Sequence, residues 1–209
     1  MGILLLPVCA GAAEALWKVA RASGAADTVW ISMFSGAACW VAIFFLLPKP
    51  MWLYVVGHEL THALCTWAMG GKVKKIKASA NGGHLVVTRT NFLIALAPYF
   101  FPFYALLIAG AFALGSWFWD WRPFLMWFHF LLGMGYAFHL TLTWHALQNR
   151  QSDIEDQGWI FSLVIIFLGN ISVLLVGIPL LAAKVDVLTA LRWWCEQTGE
   201  IVRRIAALT

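Results

Sequence analysis

Residues 28–47 hold no charged side chain, and the chain then turns at Pro48-Lys49-Pro50 straight into a second apolar run, residues 51–69. A bilayer crossing needs roughly 20 apolar residues. Inside hydrocarbon every backbone N–H and C=O must be satisfied within its own segment, which leaves helices and closed barrels. These runs do not alternate apolar and polar residues as barrel strands do. They are read as helices, and the tight Pro-Lys-Pro turn sets the second antiparallel to the first. Further runs at residues 92–114, 124–147 and 159–182 extend the pattern. With 62% hydrophobic and 11% charged residues, a soluble domain of 209 residues is excluded. The fold class is an all-α polytopic membrane protein of about five to six transmembrane helices, an integral multi-pass protein of a cell membrane. The 13 Trp and 15 Phe suit membrane interfaces.

The second run carries Gly57-His58-Glu59-Leu60-Thr61-His62, an H-E-x-x-H pattern. On a helix His58 and His62 lie one turn apart on one face, placed to take two corners of a tetrahedral Zn²⁺. Glu59 sits about 100° around the helix, better placed to poise a water than to bind the metal. Ionisable groups at bilayer depth cost several kcal/mol, roughly, unless partnered, and a metal ion offers each of them a partner. A pair of hydrogen-bonded core histidines would leave Glu59 unexplained.

A catalytic zinc usually has three protein ligands and one open position. No HExxHxxGxxH extension follows His62, so the third ligand lies elsewhere. Asp27, Asp120, Asp186, Glu196 and Glu200 fall at edges or in the tail. The remaining cluster is Asp153, Glu155 and Asp156, in the polar loop 148–158. His84, His129, His139 and His145 compete as ligands. The four cysteines form no CxxC pair and are read as small buried residues.

Between these landmarks the chain is less regular. Residues 1–22 begin apolar, then carry Glu14, Lys18 and Arg21, which predicts a re-entrant or interfacial helix. The missing basic n-region argues against a signal peptide. Gly70-Gly71 ends the motif helix. Residues 72–91 mix Val73, Ile76 and Leu85 to Val87 with Lys72, Lys74, Lys75, Lys77 and Arg89, around an Asn81-Gly82-Gly83 turn signal. They predict a small β-hairpin at the membrane surface. Pro98 and Pro102 interrupt the third span near its start, as a kink or as an unwound segment near the site. The tail 183–209 is an amphipathic C-terminal helix. Without a repeat or linker, the chain reads as one domain with a core of residues 28–182. The loop after the second span holds five Lys or Arg, which favours a cytoplasmic N-terminus. The net charge of +4 is explained by loop placement, and no basic run is available to track nucleic acid.

HELTH on a transmembrane helix, a Gly-Gly-Lys-Val start to a hairpin and an Asp-bearing loop before a later span together resemble the site-2 protease family of intramembrane zinc metalloproteases. The resemblance covers about residues 51–182. It implies His58 and His62 as zinc ligands, Glu59 as the catalytic acid–base and one Zn²⁺ per chain. The family's aspartate stands in an LDG or NPxDG motif. Here the region reads Ser152-Asp153-Ile154-Glu155-Asp156-Gln157-Gly158, with no Asp directly before Gly. Asp153 is taken as the third ligand from its Ser-Asp context, with Asp156 next. Glu59 would take a proton from water and deliver it to the leaving amine. Asn149 or Asn170 would donate to the oxyanion. The substrate would be a membrane-protein segment, locally unwound, and the hairpin could pair with it by β-augmentation. Two other classes compete: a non-proteolytic zinc-binding scaffold or regulatory pseudoprotease, and a bis-His haem protein, against which Glu59 and the i, i+4 pair argue. A transporter would call for an inverted repeat.

Overall fold

The computed structural model describes residues 2–24, 27–79, 82–182 and 184–208. The chain divides into two compact units, residues 28–153 and residues 1–27 with 154–209. The first unit contains most of helix α2 (Asp27–Leu46), helix α3 (Met51–Ala68), strands β1 (Val73–Ser79) and β2 (Gly82–Val87), helices α4 (Phe92–Leu96) and α5 (Phe103–Phe118), and α6 (Leu125–Leu147). The second holds α1 (Leu6–Ala22), α8 (Trp159–Ala182) and α9 (Val187–Ala206). The short α7 (Ser152–Gln157) carries the chain from one to the other.

Four helical segments among the described residues are long and apolar enough to cross a membrane, or up to five if the bent pair Phe92–Tyr99 and Phe103–Phe118 is one span. The protein is an integral, multi-pass membrane protein. The spans expected at 28–47, 124–147 and 159–182 are present. Two points differ. Residues 2–22, expected at the interface, form one 21-residue segment long and apolar enough to span. Its charges stop only the last turns, with Arg21 in the final one. Helix α3 falls outside the set of apolar spans, because His58, Glu59 and His62 lower its hydropathy.

Glycine sets how closely the helices of the first unit approach. A Cβ on Gly36 of α2 would overlap the Phe130 carbonyl oxygen of α6, and a Cβ on Gly133 would overlap that of Met33. This reciprocal contact is the small-residue packing of membrane helices, where close backbones replace a hydrophobic driving force. One turn along, Trp40 Nε1 donates to Thr141 Oγ1 at 2.8 Å and its ring meets Phe138 at 4.8 Å. Helix α3 is held to α5 by Gly57. A Cβ there would stand 2.8 Å from the Tyr104 ring, whose hydroxyl donates to the Leu53 carbonyl at 2.6 Å.

The hairpin is antiparallel, with Ile76 opposite Leu85, Lys77 opposite His84 and a bulge between Val73 and Lys75. Its turn was expected at Asn81-Gly82-Gly83. Asn81 lies outside the described residues, while Gly82 and Gly83 already belong to β2.

The third span is broken as its prolines foretell. The 3₁₀ turn Ala97–Tyr99 follows α4, and α5 leaves at 81°. Pro98 and Pro102 lack the N–H that would continue the ladder. The polar loop 148–158 is not wholly irregular, since Ser152 opens the six-residue α7.

In the second unit α1 packs on α8 and α9 through buried Ala12, Ala15, Val19, Ile171, Leu175 and Ala190. Trp194 Nε1 donates to the Val8 carbonyl at 3.0 Å. The amphipathic tail helix is present and is capped by Asp186, which accepts from Thr189 N–H at 2.8 Å.

The glycine crossing predicts a contrast. Gly133→Leu should lower stability by about 1–3 kcal/mol, because backbone cannot yield to the new side chain. Gly110→Ala should stay within about 0.5 kcal/mol, since its Cβ would meet nothing within 4 Å. Thermal unfolding of both variants in detergent measures the difference.

Candidate metal centre

Helix α3 brings its two motif histidines to one point as the i, i+4 spacing requires, with ring centroids 4.8 Å apart. Their Nε2 atoms lie 3.2 Å apart. Asp153 Oδ2, from the first turn of α7, stands 3.4 Å from His58 Nε2 and 3.5 Å from His62 Nε2. Among the described residues these three form the one group of His, Cys, Asp or Glu side chains arranged to hold a metal ion.

Two of the three members are fixed from behind by hydrogen bonds. His62 Nδ1 lies 2.8 Å from the Ile94 carbonyl oxygen. A carbonyl only accepts, so Nδ1 carries the proton and the neutral ring presents a lone pair at Nε2. The Ile94 carbonyl is held in place because α4 is capped by Asn91, whose side chain accepts from Ile94 N–H at 2.9 Å. Tyr99 Oη donates to Asp153 Oδ2 at 3.1 Å, and the Tyr99 ring stands edge-on to His58. Tyr99 is fully buried and sits in the 3₁₀ turn. The proline-broken segment therefore supplies two supporting contacts to the site. Burial pushes the Asp153 carboxyl up, but the His58 and His62 imidazoles outweigh it and hold the group below the usual carboxylate range. Asp153 is thus an anion at neutral pH.

One carboxylate oxygen and two imidazole nitrogens facing one another can hold a cation between them. Shared protons would draw the pairs to about 2.7–3.0 Å, and all three distances are longer. In a tetrahedral zinc site with bonds of about 2.0–2.1 Å, neighbouring ligand atoms lie about 3.3–3.4 Å apart. The triangle of 3.2, 3.4 and 3.5 Å has that size, so these residues fit a metal ion.

Glu59 is 6% exposed and lies beside the triangle without joining it. Strand β2 lies against it. A Cβ on Gly83 would come within 2.5 Å of Glu59 Cγ and Cδ, so the strand reaches the carboxylate only because residue 83 is glycine. The site opens into a cleft of about 520 Å³ whose lining includes Glu59, Gly83, Leu85, Val87, Asn149 and Asp153.

The other residues singled out in the sequence fall as follows. Asp156 is exposed and is not in the converging group. Asn149 lines the cleft and donates to the His145 carbonyl at 3.3 Å. Asn170 belongs to the other unit, where its amide donates to the Ile166 carbonyl at 2.9 Å. His84 lines the cleft from β2. His129, His139 and His145 are outside the metal group. Sequence reasoning passed over Tyr99, the Ile94 carbonyl and Gly83. Only Tyr99 had a signal, its place in the Ala97-Pro98-Tyr99 break of an apolar span.

The peptidase M50B-like family model matches residues 36–132. Over that segment the chain is similar to the site-2 protease family. The family match supports a metallopeptidase of the intramembrane type. No curated protein and no solved structure matches the chain. The matched segment includes the motif helix, the hairpin and the broken span; Asp153 lies beyond its end.

Metal analysis separates the two aspartates. Asp153→Ala should lower bound metal in the purified protein on the order of tenfold or more, while Asp156→Ala should retain it. Equal retention in both variants would remove Asp153 from the ligand set.

Proposed function

We propose that the protein is a zinc metalloendopeptidase that hydrolyses peptide bonds in or near transmembrane segments of membrane-protein substrates. The observation that carries this reading is the ligand triangle of His58, His62 and Asp153 at 3.2–3.5 Å, with buried Glu59 next to it. Imidazole and carboxylate ligands suit zinc. Bound zinc would supply a Lewis acid for the scissile carbonyl and acidify a water.

The chain's own residues do the rest. Glu59 takes the proton of the attacking water and delivers it to the leaving amine. Its burial against the Gly83 backbone keeps the carboxylate in one place, which proton transfer over hydrogen-bond distance requires. Tyr99 and the Ile94 carbonyl hold Asp153 and His62 so that their ligand atoms stay aimed at one point. Asn149, in the cleft wall, is the candidate donor to the oxyanion. Asn170 has no supporting geometry for that role.

The hairpin offers the means of holding a substrate. It has two strands, so each strand has an outer edge to which an extended peptide could be added. Gly83, Leu85 and Val87 of β2 line the same cleft as Glu59, so a strand laid there would run past the site. A transmembrane substrate must unwind locally to offer such a strand, because a helix keeps its scissile carbonyls hydrogen-bonded.

A non-proteolytic scaffold predicts the same ligand triangle but no need for Glu59, and one variant distinguishes the two. Glu59→Gln should reduce cleavage of a transmembrane substrate by about 10²–10⁴-fold with bound zinc unchanged. Unaltered processing would refute the peptidase assignment. Gly83→Val probes the hairpin contact. It should cut turnover by about 10²-fold at unchanged zinc content, because its side chain occupies the space of the Glu59 carboxylate.

A further inference from the structure

His139 is deeply buried in α6, 6% exposed, yet it is not among the converging ligand atoms. It lies instead behind His58. The two histidines line a second, small cavity of about 20 Å³, together with Tyr54, Gly57, Thr61 and Phe101 among others. Two buried ring nitrogens here have no hydrogen-bond partner among the described residues: His58 Nδ1 and His139 Nε2. Orphaned buried polar groups on this scale are costly and call for an explanation.

Their proton states are complementary. His58 presents Nε2 to the metal point, so its neutral ring carries the proton on Nδ1, a donor. His139 is hydrogen-bonded to the Tyr99 backbone, and its orphaned nitrogen is Nε2. The Tyr99 contact therefore falls to Nδ1–H, and Nε2 is left as an acceptor. A donor and an acceptor that do not reach each other share a cavity, and a single water needs about 10–15 Å³ with two or more polar partners. Thr61 Oγ1, which donates to the Gly57 carbonyl at 2.8 Å, keeps lone pairs free as a third partner.

We infer that a water molecule occupies this cavity, accepts from His58 Nδ1–H and donates to His139 Nε2, making His139 a positioning residue for the metal ligand His58. His62 has its carbonyl, Asp153 has its tyrosine, and this bridge gives His58 its own support. It also links that support to the broken span, because the Tyr99 backbone fixes the tautomer of His139 while the Tyr99 hydroxyl fixes Asp153. The inference rests on the metalloprotease reading of the site.

The test uses the full chain in detergent and zinc alone as the probe, with affinity measured by competition against a chromophoric chelator. Supporting partners of metal-bound histidines are worth about 10–100-fold in affinity. His139→Leu should weaken zinc binding by that factor. His139→Gln, whose side-chain oxygen can accept from the same water, should stay within about threefold of wild type. Phe101→Leu alters the same cavity wall without removing a nitrogen and should leave affinity unchanged. If His139→Leu does not fold, His139→Asn, polar but one bond shorter, takes its place with the same expected loss. Unchanged affinity in the Leu or Asn variant, or an equal loss in Phe101→Leu, overturns the inference and leaves the metalloprotease reading intact. A wild type that binds no zinc overturns both.

Discussion

Polar groups buried among apolar helices dominate this structure, because each must find a partner or be neutralised. The first unit meets that demand by bringing three candidate ligand atoms to one point and holding two of them from behind. His62 takes the Ile94 carbonyl and Asp153 the Tyr99 hydroxyl. The third span is broken for the same reason. A continuous helix through residues 92–118 would have kept the Ile94 carbonyl in its own ladder and held Tyr99 away from Asp153. The prolines remove ladder hydrogen bonds, and the freed groups do work at the site.

A second constraint is distance. Side chains of ordinary size would keep these elements too far apart for the site to close. Glycine removes the obstacle where backbone must touch ring, carbonyl or carboxylate: Gly57 under Tyr104, Gly36 and Gly133 across α2 and α6, and Gly83 on Glu59. Three of these act between helices, where lipid gives no hydrophobic drive and close packing has to supply the attraction. The fourth brings the hairpin to the catalytic candidate itself. The hairpin is thus part of the site wall, a closer role than a basic loop that merely sets topology.

How far the sequence could be read depended on the range of the signal. HELTH declares its geometry locally, since i, i+4 on a helix fixes the relation of His58 to His62. The apolar runs declare their spans for the same local reason. Asp153 was reachable by scarcity, because few acids lie in the core and one loop holds three of them. The supporting contacts were not reachable. Ile94 acts through its backbone, which no side chain announces. Gly83 acts by what it lacks. Residues 2–22 are read as interfacial from Glu14, Lys18 and Arg21, whereas their helical segment is by length and composition also apolar enough to span. Residues 148–158 read as polar loop because six residues are too few to show a helical period.

The family match ends at residue 132, about twenty residues before Asp153. The matched part contains two ligand candidates, the acid–base candidate, the hairpin and Tyr99, and it lacks the third carboxylate. Without Asp153 the two imidazoles would face each other with no anion to balance a divalent cation, and the Tyr99 hydroxyl would lose its acceptor at 3.1 Å and keep Gln151 Oε1 at 3.3 Å. The segment that supplies Asp153 is a six-residue helix, too short to hold itself in water. Its position depends on tertiary contacts, among them Gln151 Nε2 donating to the Ala146 carbonyl at 3.0 Å just ahead of it. The third candidate ligand therefore comes from an element whose sequence departs from the LDG or NPxDG pattern.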